Sequence, residues 1–452
     1  MANTMRRFPI LLLVSAWVST WAFMTAFVTT QAAESPYLKV GKAKTRRIII
    51  AYPSPPTTGA TRDAATVVQR TIKNDLLFVD TFRFLGDSNF PEVARSGAPS
   101  VDTIRLSAWD AAGAEILLKT AVEGDASTTV FEMSLYDTKR GKQLASKRYT
   151  AAKADLTVLG HTVANDIAET LTGLPGIFLT QIAMSCDTTG KKEIYLMDFD
   201  GTNQRKLTDH RSIALGPAWS LDAKRLAYSV FTRHPGNIKN IDLFIYDFKS
   251  KTVELISNRK GMNSGASFHP KENRLALTMS FLGNPEIFSI NLGTKEATRL
   301  TTSYGVDVDP VWAPDGQSMA FVSSRSGPPM VYSMDNAGQS VKRLTFAGKY
   351  NATPSWSPQN NKIAFAGMID GHFDIFIMNP DGTNIERLTK DQGGNEDPHF
   401  SPDGNFLVFS SNRTGKKNIY VMNIDGTFVK RLTYGLGNCV GPKWSPVLKS
   451  SP

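Results

Sequence analysis

Six segments share one pattern: a short, nearly continuous apolar run carrying an aromatic residue and flanked by polar turns. They read EIYLMD, DLFIYD, EIFSIN, MVYSMD, DIFIMN and NIYVMN. Their aromatics are Tyr195, Phe244, Phe288, Tyr332, Phe376 and Tyr420, which recur every 44 residues after a first step of 49. A second series keeps the same step: Trp219, Phe268, Trp312, Trp356, Phe400 and Trp444. A third lies in RLT-like segments, at Leu207, Leu255, Leu300, Leu344, Leu388 and Leu432. Three markers in phase define a repeat of several short strands per copy, the signature of a propeller blade. In one copy the spacing predicts a strand ending at Trp356, then IAFAG (363–367), DIFIMN (374–379) and IERLT (385–389). The middle two are apolar almost throughout, as strands covered on both faces must be. Their Ile, Val, Phe and Tyr favour pleated surfaces, and Pro310, Pro354, Pro398 and Pro442 would break a helical repeat.

The phase predicts how the array ends. It begins with IAMSC (182–186), equivalent to IAFAG, and finishes with KWSP, equivalent to SWSP. The chain enters one strand late and supplies the missing strand last. A six-bladed ring closed by pairing of its N- and C-terminal strands follows, since closure removes the unpaired edges. By this register Cys186 matches Gly367 and Cys439 matches Asn351. Pairing Trp356 with Ile363 would set Asn351 opposite Met368; pairing it with Lys362 would set Asn351 opposite Gly367. Either way the cysteines are neighbours, as a disulfide or as two buried thiols.

The Asn-x-Asp-Gly of MNPDGTNIERLT (378–389) invites a calcium reading. The corresponding turns are DNAG at 335–338 and DFKSK at 247–251. A ligand set that dissolves between copies reads as hairpin punctuation.

Residues 34–175 lack the repeat and predict a small α/β domain preceding the propeller at 176–452. RRIIIAY (46–52), EILLKTAV (115–122) and TVFEMSLYD (129–137) read as strands, with KQLASKRYT as a hairpin partner. Apolar residues at helical spacing predict helices over Thr61–Asp80 and through Leu156, Leu159, Val163, Ile167 and Leu171, the latter stopped by Gly173. Residues 1–33 carry Arg6 and Arg7, an apolar run from Phe8 to Val28, and TTQAA, the layout of a signal peptide cleaved after Ala32 or Ala33. An uncleaved anchor is the rival reading. Export favours an oxidising compartment for the two cysteines.

The chain has 452 residues, 41% hydrophobic and 20% charged, which suits a folded protein. Its formal net charge of +10 raises nucleic acid, but no arginine-rich run, zinc spacing or basic helix supports it. A solubility role, or complementarity to an acidic partner, is simpler. None of His161, His210, His234, His269, His372 and His399 pairs at metal-ligand spacing; His161 reads as structural and His269 as a turn residue. There is no G-x-S-x-G elbow, H-E-x-x-H or Gly-rich phosphate loop. Acidic residues gather before two marker aromatics, Asp307 with Asp309 and Glu396 with Asp397. They fit either Asp-Pro turns or a calcium ion near the axis.

WAPDGQSMAF, FSPDGNFLVF, the DGT…RLT turns and LGHTVANDIAETLTGLPGIFLTQIAMS (159–185) together resemble the TolB family of Tol–Pal components. The resemblance implies a periplasmic, monomeric scaffold with no cofactor and no enzymatic activity. It implies a propeller that docks the lipoprotein Pal and an N-terminal segment that binds TolA, in support of outer-membrane integrity and cell division. By the family's register, lipoprotein contacts fall in loops before the marker aromatics: Met262, Gly265, Val308, Asp309, Thr353 and Asp397. The TolA segment maps to Ser35–Lys44, with Tyr37, Leu38 and Val40 as its apolar contacts. The alternative is a propeller enzyme acting on an envelope polysaccharide or peptide through Asp307, Asp309 and Asp397.

Overall fold

The computed structural model describes residues 47–59, 61–91, 105–125, 127–359 and 361–448. The signal segment and the expected TolA segment lie outside the described residues.

The N-terminal part is one five-stranded sheet with helices against it. Its strands are β1 (Ile48–Ala51), β2 (Phe82–Phe84), β3 (Ile116–Gly124), β4 (Thr128–Asp137) and β5 (Lys142–Ala152), in the order β2-β1-β3-β4-β5. β1 pairs in parallel with β2 and β3, and the rest of the sheet is antiparallel. The helices are α1 (Arg62–Phe78), α2 (Leu106–Ala111) and α3 (Leu156–Thr172). α1 buries Val68, Ile72 and Leu76, and α3 buries Val163, Ile167 and Leu171. The two helices meet closely at Gly160, where a Cβ would lie 2.6 Å from Thr71 Cβ. α3 ends at Gly173, whose φ of 75° closes the helix as a left-handed cap. β2 and α2 are not foreseen by the pattern: one has three residues and the other six.

Six four-stranded blades follow. Blade I joins Cys439–Trp444 to Gln181–Cys186, Glu193–Asp198 and Arg205–Lys206, so the last strand of the chain completes the first blade. Blades II to VI begin with the innermost strands Ala214–Trp219, Asn263–Phe268, Asp307–Trp312, Asn351–Trp356 and Asn395–Phe400. Trp356 pairs with Ile363, yet Asn351 pairs with Gly367, because a bulge between Ala352 and Ser355 shifts the register by one. Both registers weighed from the sequence therefore occur, one on each side of the bulge. The same shift in blade I puts Cys439 directly opposite Cys186, and the structure joins them as a disulfide with Cα atoms 4.2 Å apart.

The sequence markers prove to be contacts between strands and between blades. The threonine of RLT clips the third strand: Ile194, Ile287, Val331, Ile375 and Ile419 each donate a backbone N–H to Thr208, Thr301, Thr345, Thr389 or Thr433, always at 2.9 Å. Three of those hydroxyls donate onward to buried carboxylates: Thr208 to Glu193 at 2.6 Å, Thr301 to Glu286 at 2.5 Å and Thr389 to Asp374 at 2.7 Å. The RLT arginines Arg299 and Arg387 pair with two of these acids. In the turns, Asp200, Asp381 and Asp425 accept the N–H and hydroxyl of the threonine two residues on.

The turn glycine has a second role. Gly201, Gly338, Gly382 and Gly426 have positive φ, and a Cβ on each would meet a leucine carbonyl of the preceding blade at 2.4, 2.2, 2.7 and 2.9 Å. Those carbonyls belong to Leu432, Leu300, Leu344 and Leu388, the third marker series. Blade-to-blade contact therefore keeps this glycine even where the turn reads DNAG.

The α/β part rests on the turn end of blades I and VI. Phe78 of α1 meets Phe199, Phe406 and Phe428 with centroids 5.0, 6.3 and 6.3 Å away. One continuous core runs from α1 and α3 into those blades. Beside Phe199, His161 Nδ1 lies 2.7 Å from Asp75 Oδ2. Burial works against the charged imidazole, but Asp75, Asp198 and Asp200 outweigh it and raise the His161 pKa. Burial, with a smaller push from Asp200, drives the Asp75 carboxyl up to about 6 against the opposing pull of His161.

Candidate functional site at the propeller axis and its loop end

Each innermost strand carries its bulge at one repeat position, and that residue has positive φ in every blade. The six are Gly216 (61°), Gly265 (64°), Asp309 (53°), Thr353 (45°), Asp397 (57°) and Gly441 (60°). Gly265, Asp309, Thr353 and Asp397 therefore occupy one ring of equivalent positions. They lie within strands rather than in loops before the marker aromatics, and neither Asp309 nor Asp397 makes an Asp-Pro turn. The bulge re-aims the side chain, which a flat strand would not do. A β-branched residue in the left-handed region is strained by about 1–2 kcal/mol, and Thr353 bears that strain.

The acidic pairs are split apart by the fold. Asp307 is buried, accepts from Ser323 Oγ at 2.5 Å and pairs with Arg325 at 2.8 Å. Glu396 pairs with Lys417 at 2.9 Å. Asp397 accepts from Ser410 Oγ at 2.9 Å and from the Gly441 N–H at 3.1 Å. Burial raises the Asp309 pKa, opposed by Lys443. Burial lowers the Lys443 pKa, opposed by Asp397 and Asp309. The axis thus carries two carboxylates together with their own cation. Among the described residues, no group of three or more His, Cys, Asp or Glu is arranged to hold a metal ion. Asp307, proposed with Asp309 and Asp397 for catalysis, is removed from them into a structural ion pair.

Lys443 and its neighbour His399 do not stand out from the repeat markers, yet the register holds a signal for them. Two residues after the bulge the blades read Ala218, Ser267, Val311, Ser355, His399 and Lys443. The last two depart from small or apolar. His399 Nδ1 accepts the Trp444 N–H at 3.1 Å, and burial, reinforced by the Lys443 charge, pushes its pKa down to about 3. It is a neutral, structural imidazole.

Met262 and Val308 are half-buried at the start of their innermost strands; Met262 donates its N–H to Ser280 Oγ at 2.8 Å. They open onto the end of the propeller where outer strands connect to the next blade and second strands connect to third. The α/β part covers the opposite end. Large apolar side chains stand exposed in these connections: Leu282, Tyr304, Phe346 and Tyr434, with relative exposures of 58, 110, 73 and 63%. These side chains stand in connections of blades III, IV and VI at that end. Single exposed apolar residues elsewhere, such as Leu221, are unremarkable.

Comparison with known proteins agrees with this architecture. The model of the TolB amino-terminal domain matches residues 36–144, and that of the TolB beta propeller domain matches 168–368 and 351–450. A Tol-Pal system protein TolB from Desulfosudis oleivorans is 34% identical over 290 residues, covering 63% of this chain and 64% of the relative. A Tol-Pal system protein TolB from Geobacter sulfurreducens is 37% identical over 196 residues, 43% of this chain and 45% of the relative. The matches thus span less than two thirds of these curated relatives. The crystal structure of TolB from Acinetobacter baumannii superposes with a TM-score of 0.77 at 27% identity, covering 90% of this chain and 99% of that one. Among the described residues, no helix is long and apolar enough to cross a membrane. Sequence, fold and domain order agree, and the chain belongs to the TolB family of Tol–Pal system proteins.

Proposed function

We propose that this chain is a non-catalytic, monomeric scaffold of the periplasm, part of the Tol–Pal envelope complex. The loop end of its propeller binds a Pal-like lipoprotein, with Met262, Gly265, Val308, Asp309, Thr353 and Asp397 around the channel mouth. Its N-terminal segment, through Tyr37, Leu38 and Val40, binds a TolA-like inner-membrane protein. The assembly supports outer-membrane integrity and cell division.

The observation that carries this reading is the exposure of Leu282, Tyr304, Phe346 and Tyr434 on the propeller end left free by the α/β part. Aromatic anchors on a rigid surface are what protein recognition uses. Membership of the TolB family supports the choice of a Pal-like and a TolA-like partner. A pull-down from envelope extract with the mature chain as bait should recover a Pal-like lipoprotein; recovery of none would overturn the reading.

A further inference from the structure

The loop end of the propeller differs in charge from an ordinary mixed surface. Its basic side chains point outward while most of its carboxylates are used internally. Arg211, Arg233, Lys239, Lys260, Lys349 and Lys416 are all exposed in these connections. Against them, Asp307 pairs with Arg325, Asp374 with Arg387 and Glu396 with Lys417. Of the exposed carboxylates among the described residues here, Asp209 lies beside Lys206 and Arg211, Asp391 lies beside Lys390, and Asp370 has no ion-pair partner.

Blade II sharpens the contrast. Its second and third strands, Arg225–His234 and Ile238–Asp247, have ten residues each, where their equivalents in blade III have six. The extra length lies at the loop end, where Phe231 pairs with Ile241 and His234 with Ile238. From Arg225 to Asp247 the hairpin has five more residues than its equivalent from Arg274 to Asn291, which carries its tip roughly 8 Å further out. On this finger Arg233 sits directly opposite Lys239. Like charges in that position repel. On the same hairpin, Asp242 is committed to His234 Nε2 at 2.9 Å and Thr232 Oγ1 at 2.7 Å. Among the described residues, Arg233, Lys239 and Lys260 have no carboxylate partner.

We infer that the loop end, led by the blade II hairpin, recruits a protein with an acidic surface by electrostatic steering. This rests on the proposed lipoprotein-docking role and names the character of that partner. The same end of the propeller exposes Tyr304, Phe346 and Tyr434, and apolar anchors with a charged surround are typical of a protein interface. Complementary charge acts chiefly on the association rate.

The test is association kinetics between the full mature chain and the periplasmic domain of the Pal-like lipoprotein encoded in the same genome, from low to high salt. The parent's association rate should fall steeply as salt rises. The triple variant Arg233→Glu, Lys239→Glu, Lys260→Glu should associate at least about tenfold more slowly at low salt, with a flattened salt response. A control of equal charge change at the turn end, Lys224→Glu, Lys249→Glu, Lys271→Glu, should stay within about twofold of the parent. All three side chains of each triple are exposed, so both variants should retain the parent's circular dichroism and melting transition. A salt-independent parent, or a test triple no slower than the control, would overturn the steering and leave the docking role standing. No association at any salt would overturn both.

Discussion

The closing disulfide gives the ring a measurable signature. Cys186 and Cys439 are separated by 253 residues, so their bond restricts nearly the whole propeller in the unfolded chain. The chain-entropy relation for a loop of that length gives about 5.5 kcal/mol at 25 °C. Replacing both residues with Ala removes this restriction and leaves small voids at two fully buried positions. The native ladder around them, Val440 with Ser185 and Trp444 with Ile182, should persist. The loss is therefore one of stability, expressed through the unfolded state. Guanidinium denaturation can follow it through Trp444 and Trp219, since Trp444 Nε1 donates to Thr180 Oγ1 at 2.7 Å and Trp219 Nε1 to the Lys443 carbonyl at 3.0 Å across the closure. The oxidised parent should unfold at markedly higher denaturant than Cys186→Ala, Cys439→Ala, and parent kept in reductant should approach the double variant. Equal midpoints for oxidised parent and double variant would refute the reasoning, as would two alkylatable thiols in the non-reduced protein.

Other substitutions test the contacts behind the repeat. Gly382→Ala would place a Cβ 2.7 Å from the Leu344 carbonyl at a φ of 88°, and should cost roughly 2 kcal/mol or more in denaturant titrations. Thr389→Val removes the acceptor of the Ile375 N–H and a donor to Asp374, and should cost about 1–3 kcal/mol by the same measurement. The raised pKa of His161 means that its contribution to stability is fully present below its ordinary value of 6.5 and is lost as pH rises through the folded value. Thermal unfolding across that window should show stability falling with pH in the parent, and a flatter profile in His161→Gln.

Much of this architecture is written into the sequence because the propeller repeats one solution to one packing problem. Strands buried on both faces must be apolar in every copy, so their run survives as a period. The RLT threonine recurs in five blades and the close-packed turn glycine in four, the first because it accepts a strand N–H and the second because it leaves room for a leucine carbonyl. Phase alone predicts the closing strand, and with it the meeting of Cys186 and Cys439. The bulge escapes the pattern: it changes backbone direction without changing hydrophobicity, so Asp309, Thr353 and Asp397 read as loop residues. β2 and α2 are too short to build a period. Lys443 and His399 are single departures from the repeat and gain meaning only when the axis brings Asp309 and Asp397 to them. The charge of the loop end is invisible in the net +10, because it depends on which carboxylates the fold buries.

The claim that the loop end of the propeller is the docking surface is most directly tested by titrating the Pal-like lipoprotein domain into the parent and into Tyr304→Ser, Phe346→Ser. Both side chains are exposed, so the pair should alter recognition while leaving the fold intact. The parent should bind, and the double variant should bind at least about tenfold more weakly, as truncation of aromatic anchors does. Leu221→Ser, at the opposite end, should match the parent. Undiminished binding by the double variant would contradict the account.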